Sequence, residues 1–244
     1  MSYWQAARML SGHLWRREWL GVLGTLAFSL YMGSVMSINV GQLFSGDEVA
    51  VGLRVMVDWL YLVLVPIFGT VMNCTIFSIW RNDLFTKKLA ILRAYPIPVS
   101  VIVGSRIGQS VVMVVTNIAI ALSLQYALAP DLRAAVSGIH WFEFGVILAS
   151  YSLIVNALYI LLEQGYSGKR YVQGYLIWFG IVTAGVIALG LLDSHRHFVT
   201  EALGWTESGA SPAVVACALL CAGMALALCY RKTVNRIRSR SITF

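Results

Sequence analysis

RNDLFTKKLAILRAYPIPVSVIVGSRI, residues Arg81–Ile107, lies between two strongly apolar runs and is dense in positive charge. Phe85, Leu89 and Leu92 recur at i, i+4 and i+7, so they share one face of a helix, and Lys87 points away from it. Pro96 and Pro98 end that helix, because proline has no N–H and restricts the residue before it. A long apolar segment starts at once. The spacing predicts a short amphipathic helix over about 83–95, lying on a membrane surface and joined to a membrane span by a rigid Pro-x-Pro corner. Such an element is either a loop resting on lipid or a lever that passes force from a soluble partner to the span behind it.

Working outward, the composition is that of a membrane protein. Of 244 residues, 59% are hydrophobic and 12% charged, and the mean hydropathy is +0.75. A soluble domain of this size needs more polar surface to cover its core. Since a helix needs about 20 apolar residues to cross a hydrocarbon layer of about 30 Å, six spans are expected, at about 19–44, 57–80, 100–129, 141–163, 171–192 and 211–230. The fold class is all-α, a single transmembrane domain over 1–244. An interfacial helix over 1–18 precedes it and a basic cytoplasmic tail, 231–244, follows. No soluble catalytic domain fits between the spans.

The net charge of +7 reads as topology rather than nucleic-acid binding. Of the 18 basic residues, only Arg54, Arg133 and Arg196 fall on one side of the six-span arrangement. Asp47, Glu48, Asp58, Asp131, Glu143, Asp193, Glu201 and Glu207 lean to that same side. This is the positive-inside pattern with both termini cytoplasmic. The first span follows Arg8, Arg16, Arg17 and Glu18 without a small-x-small cleavage site, and is expected to be an uncleaved anchor. Cys74, Cys217, Cys221 and Cys229 all fall inside spans, so no disulfide is expected.

Each span carries its own signals. Pro66 and Asn73 lie in the second, where the proline is expected to kink the helix. The third is long, about 45 Å at 1.5 Å per residue, and its first turns should project into the interface with Arg106 snorkelling there. Gly104-x-x-x-Gly108 would allow close helix contact. Thr200 could cap a brief helix running to Gly204 in the connection before the last span. Pro212 suits the first turn of that last span. Cys217, Cys221, Ala225 and Cys229 form a ridge of small side chains fit for packing against another helix.

The motifs of common chemistry are missing. Gly165-Tyr-Ser-Gly-Lys169-Arg lacks the spacing of a nucleotide-binding loop. His195-x-His197 with Glu201 reads as solvated loop residues, since no further ligand set accompanies it. Neither G-x-S-x-G nor H-E-x-x-H occurs. The expectation is a chain that is not an enzyme and holds no cofactor of its own. Glu143 and Glu163 fall at the ends of the fourth span, where interfacial placement is inexpensive. At mid-membrane depth lie Asn73, Asn117 and Asn156, with Gln109 and Thr116 nearby. They either hydrogen-bond between helices or line a substrate path. No ladder of buried carboxylates supports ion-coupled transport, and the two halves are not evident inverted repeats.

The order of elements resembles the membrane subunit of type-2 ATP-binding cassette (ABC) exporters. The motif behind the likeness is Leu92-Arg93-Ala94-Tyr95-Pro96-Ile97 after the second span, followed by Val103-Gly104-Ser105-Arg106 at the start of the third. The resemblance implies a permease that pairs with a second permease unit, the same or a related chain, and with two cytoplasmic ABC ATPase subunits that carry ATP and Mg. The helix over 83–95 would be a coupling helix, with Phe85, Lys87, Lys88, Leu89, Leu92 and Arg93 meeting the ATPase. Alternating access would export a hydrophobic or amphipathic substrate: a lipid, peptide or drug. Membrane lipids are further partners, nucleic acid is not, and a bacterial plasma membrane is the expected location. The competing classes are a secondary transporter, which should depend on an ion gradient, and a non-transport membrane protein, either an assembly or regulatory subunit or a membrane-embedded enzyme with a catalytic polar cluster.

Overall fold

The computed structural model describes residues 3–45, 50–72, 76–95, 97–192 and 197–239. Eleven helices and no strand occur among them. The chain is an all-α polytopic membrane protein, with six helices long and apolar enough to cross a bilayer. In chain order these are α1 (Tyr3–Arg17), α2 (Trp19–Leu43), α3 (Val51–Leu64) running into a 3₁₀ turn (Val65–Gly69), α4 (Ile76–Asn82), α5 (Leu84–Ala94), α6 (Val99–Leu128), α7 (Pro130–Ala135), α8 (Gly138–Gly165), α9 (Gly168–Leu192), α10 (Phe198–Glu207) and α11 (Ser211–Ser239). The spans are α2, α3 with its 3₁₀ turn, α6, α8, α9 and α11.

α8 is the hub. Of the 18 residues that define its span, 61% are buried, against 11% in α9 and in α11, which sit at the outside of the bundle. One core, centred on Tyr61, Phe68, Phe144 and Leu148, runs through the bundle to the end where α7 and α10 pack. A second lies at the other end, where Leu10, Leu89, Val101, Ile102, Val103, Val234 and Ile237 meet. That second end collects α1, α5, the start of α6 and the end of α11. Nearly all the described basic residues lie there, and we refer to it as the basic end.

Several boundaries differ from expectation. The second span starts at Val51, six residues before the expected 57, and is no continuous helix to 80. Pro66 has no N–H to offer the carbonyl of Leu62, and its ring crowds that carbonyl. The helix tightens into the 3₁₀ turn and then opens at Thr70, which is extended. The last span continues as helix to Ser239, so most of the expected tail is helical. Asn73, Cys74, Pro96, His195 and the residues from 240 onward lie outside the described residues.

Close helix contact also falls elsewhere than expected. A Cβ placed on Gly33 of α2 would lie 2.9 Å from the Cα of Ala121 in α6, so this glycine sets the crossing of the two helices. Gly108 has open space beside it. The cysteine ridge is divided. Cys229 is buried against Ala157 and Ile160 of α8, while Cys217 and Cys221 are exposed.

Candidate functional site: a clamped surface helix beside a broken span

The loop after the second span becomes α5 because Pro98 caps the next helix and Asp83, in the left-handed region at φ 44°, turns the chain out of α4. Leu89 and Ala90 are 4% and 5% exposed and face the bundle. Leu92 packs at the edge of the same cluster. Phe85 meets Tyr171 of α9 edge-on, with ring centroids 4.9 Å apart. Lys88 forms an ion pair with Glu18, which sits between α1 and α2. Arg93 is exposed and reaches the carbonyl of Ile237 at 3.5 Å. The apolar face read from the sequence is therefore the inward face of α5. The outward face presents Lys87, Ile91 and Tyr95.

Behind α5 the ion pair continues inward. The Gln109 amide donates to Glu18 at 2.9 Å and accepts from Arg106 at 3.2 Å. Arg106 then donates to Glu163 through Nη2 at 2.8 Å and through Nε at 3.1 and 3.2 Å. Lys88, Glu18, Gln109, Arg106 and Glu163 thus tie α5, the start of α2, α6 and α8 into one chain of charge-assisted bonds. Arg106 does not snorkel to water: its side chain is 12% exposed and that of Glu163 is 10%. Burial alone would raise the Glu18 pKa, yet Lys88, Gln109 and Arg106 together hold it below the ordinary glutamate value.

Three carboxylates at the basic end stand against its prevailing charge, and each joins separate helices. Glu18 and Glu163 do so as above. Asp83 accepts the backbone N–H of Gly168 at 2.7 Å, the first residue of α9, where a helix N-terminus favours negative charge. At the opposite end Asp58, expected at the outer edge of the second span, is buried within α3. It accepts the backbone N–H groups of Phe198 and Val199 at 2.8 and 3.1 Å. This caps α10 from another helix, whereas Thr200 bonds only back to the His197 carbonyl. His197 is buried near Asp58 and Arg54 rather than solvated. Glu201 is exposed.

The break in the second span exposes carbonyls that no continuing helix can satisfy, and α2, α6 and α8 supply the donors. Tyr151 reaches Leu62 at 2.8 Å, Ser152 reaches Val65 at 3.2 Å, and Asn156 reaches Pro66 at 2.8 Å. Asn117 donates to Phe68 at 3.1 Å, Ser110 to Gly69 at 3.0 Å and Thr25 to Thr70 at 3.2 Å. Gly69 has no side chain because the Asn156 amide occupies that space. Of the residues put forward for a substrate path, Asn117 and Asn156 are thus tied to the break and Gln109 to the ionic chain. Thr116 is exposed on the outer face of α6.

Glu18 and the hydroxyl donors Thr25, Ser110, Tyr151 and Ser152 were missed as site residues. Glu18 carried a signal, being the one carboxylate before Asp47 in a basic segment. The hydroxyls carried none, because serine and threonine are common inside membrane helices. No protein-family model matches the chain, nor does any curated protein or solved structure.

Proposed function

We propose that the chain is the permease subunit of a type-2 ABC exporter. It works with cytoplasmic ATPase subunits and a second permease unit, and moves a lipid, peptide or drug by alternating access. On this reading the basic end faces the cytoplasm, which the positive-inside pattern supports, and the membrane is a bacterial plasma membrane. The observation that carries the reading is α5. Its inner face is fixed to the bundle through Leu89, Ala90 and the Lys88–Glu18 pair, while Lys87, Ile91 and Tyr95 face outward. A lever needs both: a rigid hold on the spans and a surface for the part that pushes. The Glu18–Gln109–Arg106–Glu163 chain would carry displacement of α5 to α2, α6 and α8. The largely unburied faces of α9 and α11 would be shared between lipid and the second unit.

Gentle detergent pull-down, with mass spectrometry and an ATPase assay on the eluate, tests this. A stoichiometric ATPase is expected, and Ile91→Asp with Tyr95→Asp should release it without unfolding the permease. A stable chain that never carries an ATPase would overturn the reading, and ion-gradient dependence of transport would then favour a secondary transporter.

A further inference from the structure

Beside α5, at the basic end, a half-open cavity of about 1050 Å³ lies against the broken span, at the upper end of the size range for ligand pockets. One wall is aromatic. Phe85, Tyr171, Tyr159 and Tyr175 stand in sequence, with successive ring centroids 4.9, 6.2 and 5.7 Å apart. Ile67, Val71 and Met72 extend that wall with aliphatic surface. Charged residues also line it, with Arg17, Lys87, Lys88 and Arg106 set against Glu18 and Glu163. Lys88 and Arg106 are neutralised by the two carboxylates. Two positive charges remain, on Arg17 and Lys87, both exposed and neither in an ion pair among the described residues.

A further observation points to a ligand. Tyr159 lines the cavity and is 2% exposed, yet its hydroxyl has no hydrogen-bond partner among the described residues. A buried hydroxyl without a partner is costly, and a small turn of the Tyr159 side chain toward the cavity would let an oxygen-bearing ligand satisfy it. Exposed cations beside an aromatic and aliphatic wall, at the level where membrane helices end, match a molecule with an anion at one end and hydrocarbon at the other.

We propose that this cavity binds one anionic phospholipid from the leaflet beside the basic end. Arg17 and Lys87 hold the head group, and the chain lies along Tyr159, Tyr175 and Met72. Its ester oxygen is the partner of the Tyr159 hydroxyl. The site is complete within one copy of the chain; it shares Lys87 with the surface that the permease reading gives to the ATPase, and its test on the purified chain needs no ATPase.

Native mass spectrometry of the purified chain tests it, with phosphatidylglycerol, phosphatidylcholine of the same chain length, and inorganic phosphate as probes. One phosphatidylglycerol should bind at least about tenfold more tightly than phosphatidylcholine, the ratio that one charge-assisted contact supplies. Arg17→Gln with Lys87→Gln should erase that preference. Both side chains are exposed, so the fold should survive. Lys169→Gln with Arg170→Gln removes equal charge from a surface outside the cavity and should leave the preference intact. Tyr159→Phe should weaken phosphatidylglycerol binding several-fold. Equal binding of the two lipids, a preference that survives the Arg17/Lys87 change, or one lost equally in the Lys169/Arg170 variant would overturn the proposal. So would displacement of the lipid by inorganic phosphate, which would identify a soluble anion as the ligand.

Discussion

Arg106 and Glu163, 57 residues apart in sequence, meet as a two-pronged pair at the basic end, with Nη2 2.8 Å from Oε2 and Nε 3.2 Å from Oε1. Little water reaches either partner. Removing one leaves the other as a buried unpaired charge, at a cost of about 3–5 kcal/mol. Glu163→Gln should therefore lower the unfolding midpoint in detergent sharply. The double change Arg106→Gln with Glu163→Gln should cost less than Glu163→Gln alone, since no charge is then stranded. Equal or greater loss in the double variant would mean that the two groups do not act as a pair.

Glu18 makes this end of the bundle sensitive to acid. Its folded pKa lies below the ordinary value of 4.5 because Lys88, Gln109 and Arg106 outweigh the effect of burial. A carboxylate depressed in this way adds stability that is fully present above about pH 4.5 and is lost as pH falls through the folded value. Melting curves should therefore show a drop below about pH 4.5. Lys88→Gln weakens the depression and should flatten that drop. An unchanged acid profile in Lys88→Gln would assign the sensitivity to another group.

The broken span yields a third test. Asn156→Leu removes the donor to the Pro66 carbonyl and leaves a buried acceptor unpaired, a loss of about 1–2 kcal/mol. Gly69→Ala places a methyl group where the Asn156 amide sits and should destabilise for a different reason. Gly69→Ala with Asn156→Ala should then recover part of the loss, because the shorter side chain vacates the space. Strict additivity in a double-mutant cycle would show that the two positions do not share that space.

What could be read from the sequence follows from how local each cause is. α6 was expected over 100–129 and spans Val99–Leu128, because length, hydropathy and Pro98 all act within the segment. α5 was legible for the same reason, as Phe85, Leu89, Leu92 and the prolines lie within 14 residues. The start of the second span was not. Arg54 looks like a loop residue, and Asp58 like a carboxylate at the outer edge of the span, until His197 and the α10 N–H groups, some 140 positions later, give them partners inside the fold. Pro66 announced a distortion, but the donors that make the break tolerable sit on three other helices. The direction of the α5 apolar stripe was likewise not legible: the resemblance set Leu89 and Leu92 against an ATPase, whereas Leu89 is buried against the bundle, because periodicity defines a face and does not say what the face meets.

That face can be tested without reference to any partner. Leu89→Ala removes a side chain that is 4% exposed and belongs to the core cluster that includes Val101, Ile102 and Ile237, so it should cost about 2–5 kcal/mol. Ile91→Ala, two residues on, changes a side chain that is 50% exposed and should leave the midpoint within about 0.5 kcal/mol. Equal sensitivity at both positions would place α5 the other way round.

Asp58 is the last and sharpest case, because its role joins two segments that share nothing in sequence. Its two oxygens take the first N–H groups of α10, where a helix has donors without internal partners. Asp58→Asn keeps an acceptor but loses one oxygen and the charge. Asp58→Ala loses both and, as for other helix caps, should cost about 1 kcal/mol. The loss should also be local: amide exchange should quicken over Phe198–Glu207 and hardly change in α8. A variant whose α10 exchanges as slowly as before would show that the helix is held by the burial of Val199, Ala202 and Leu203 in the core and not by the carboxylate.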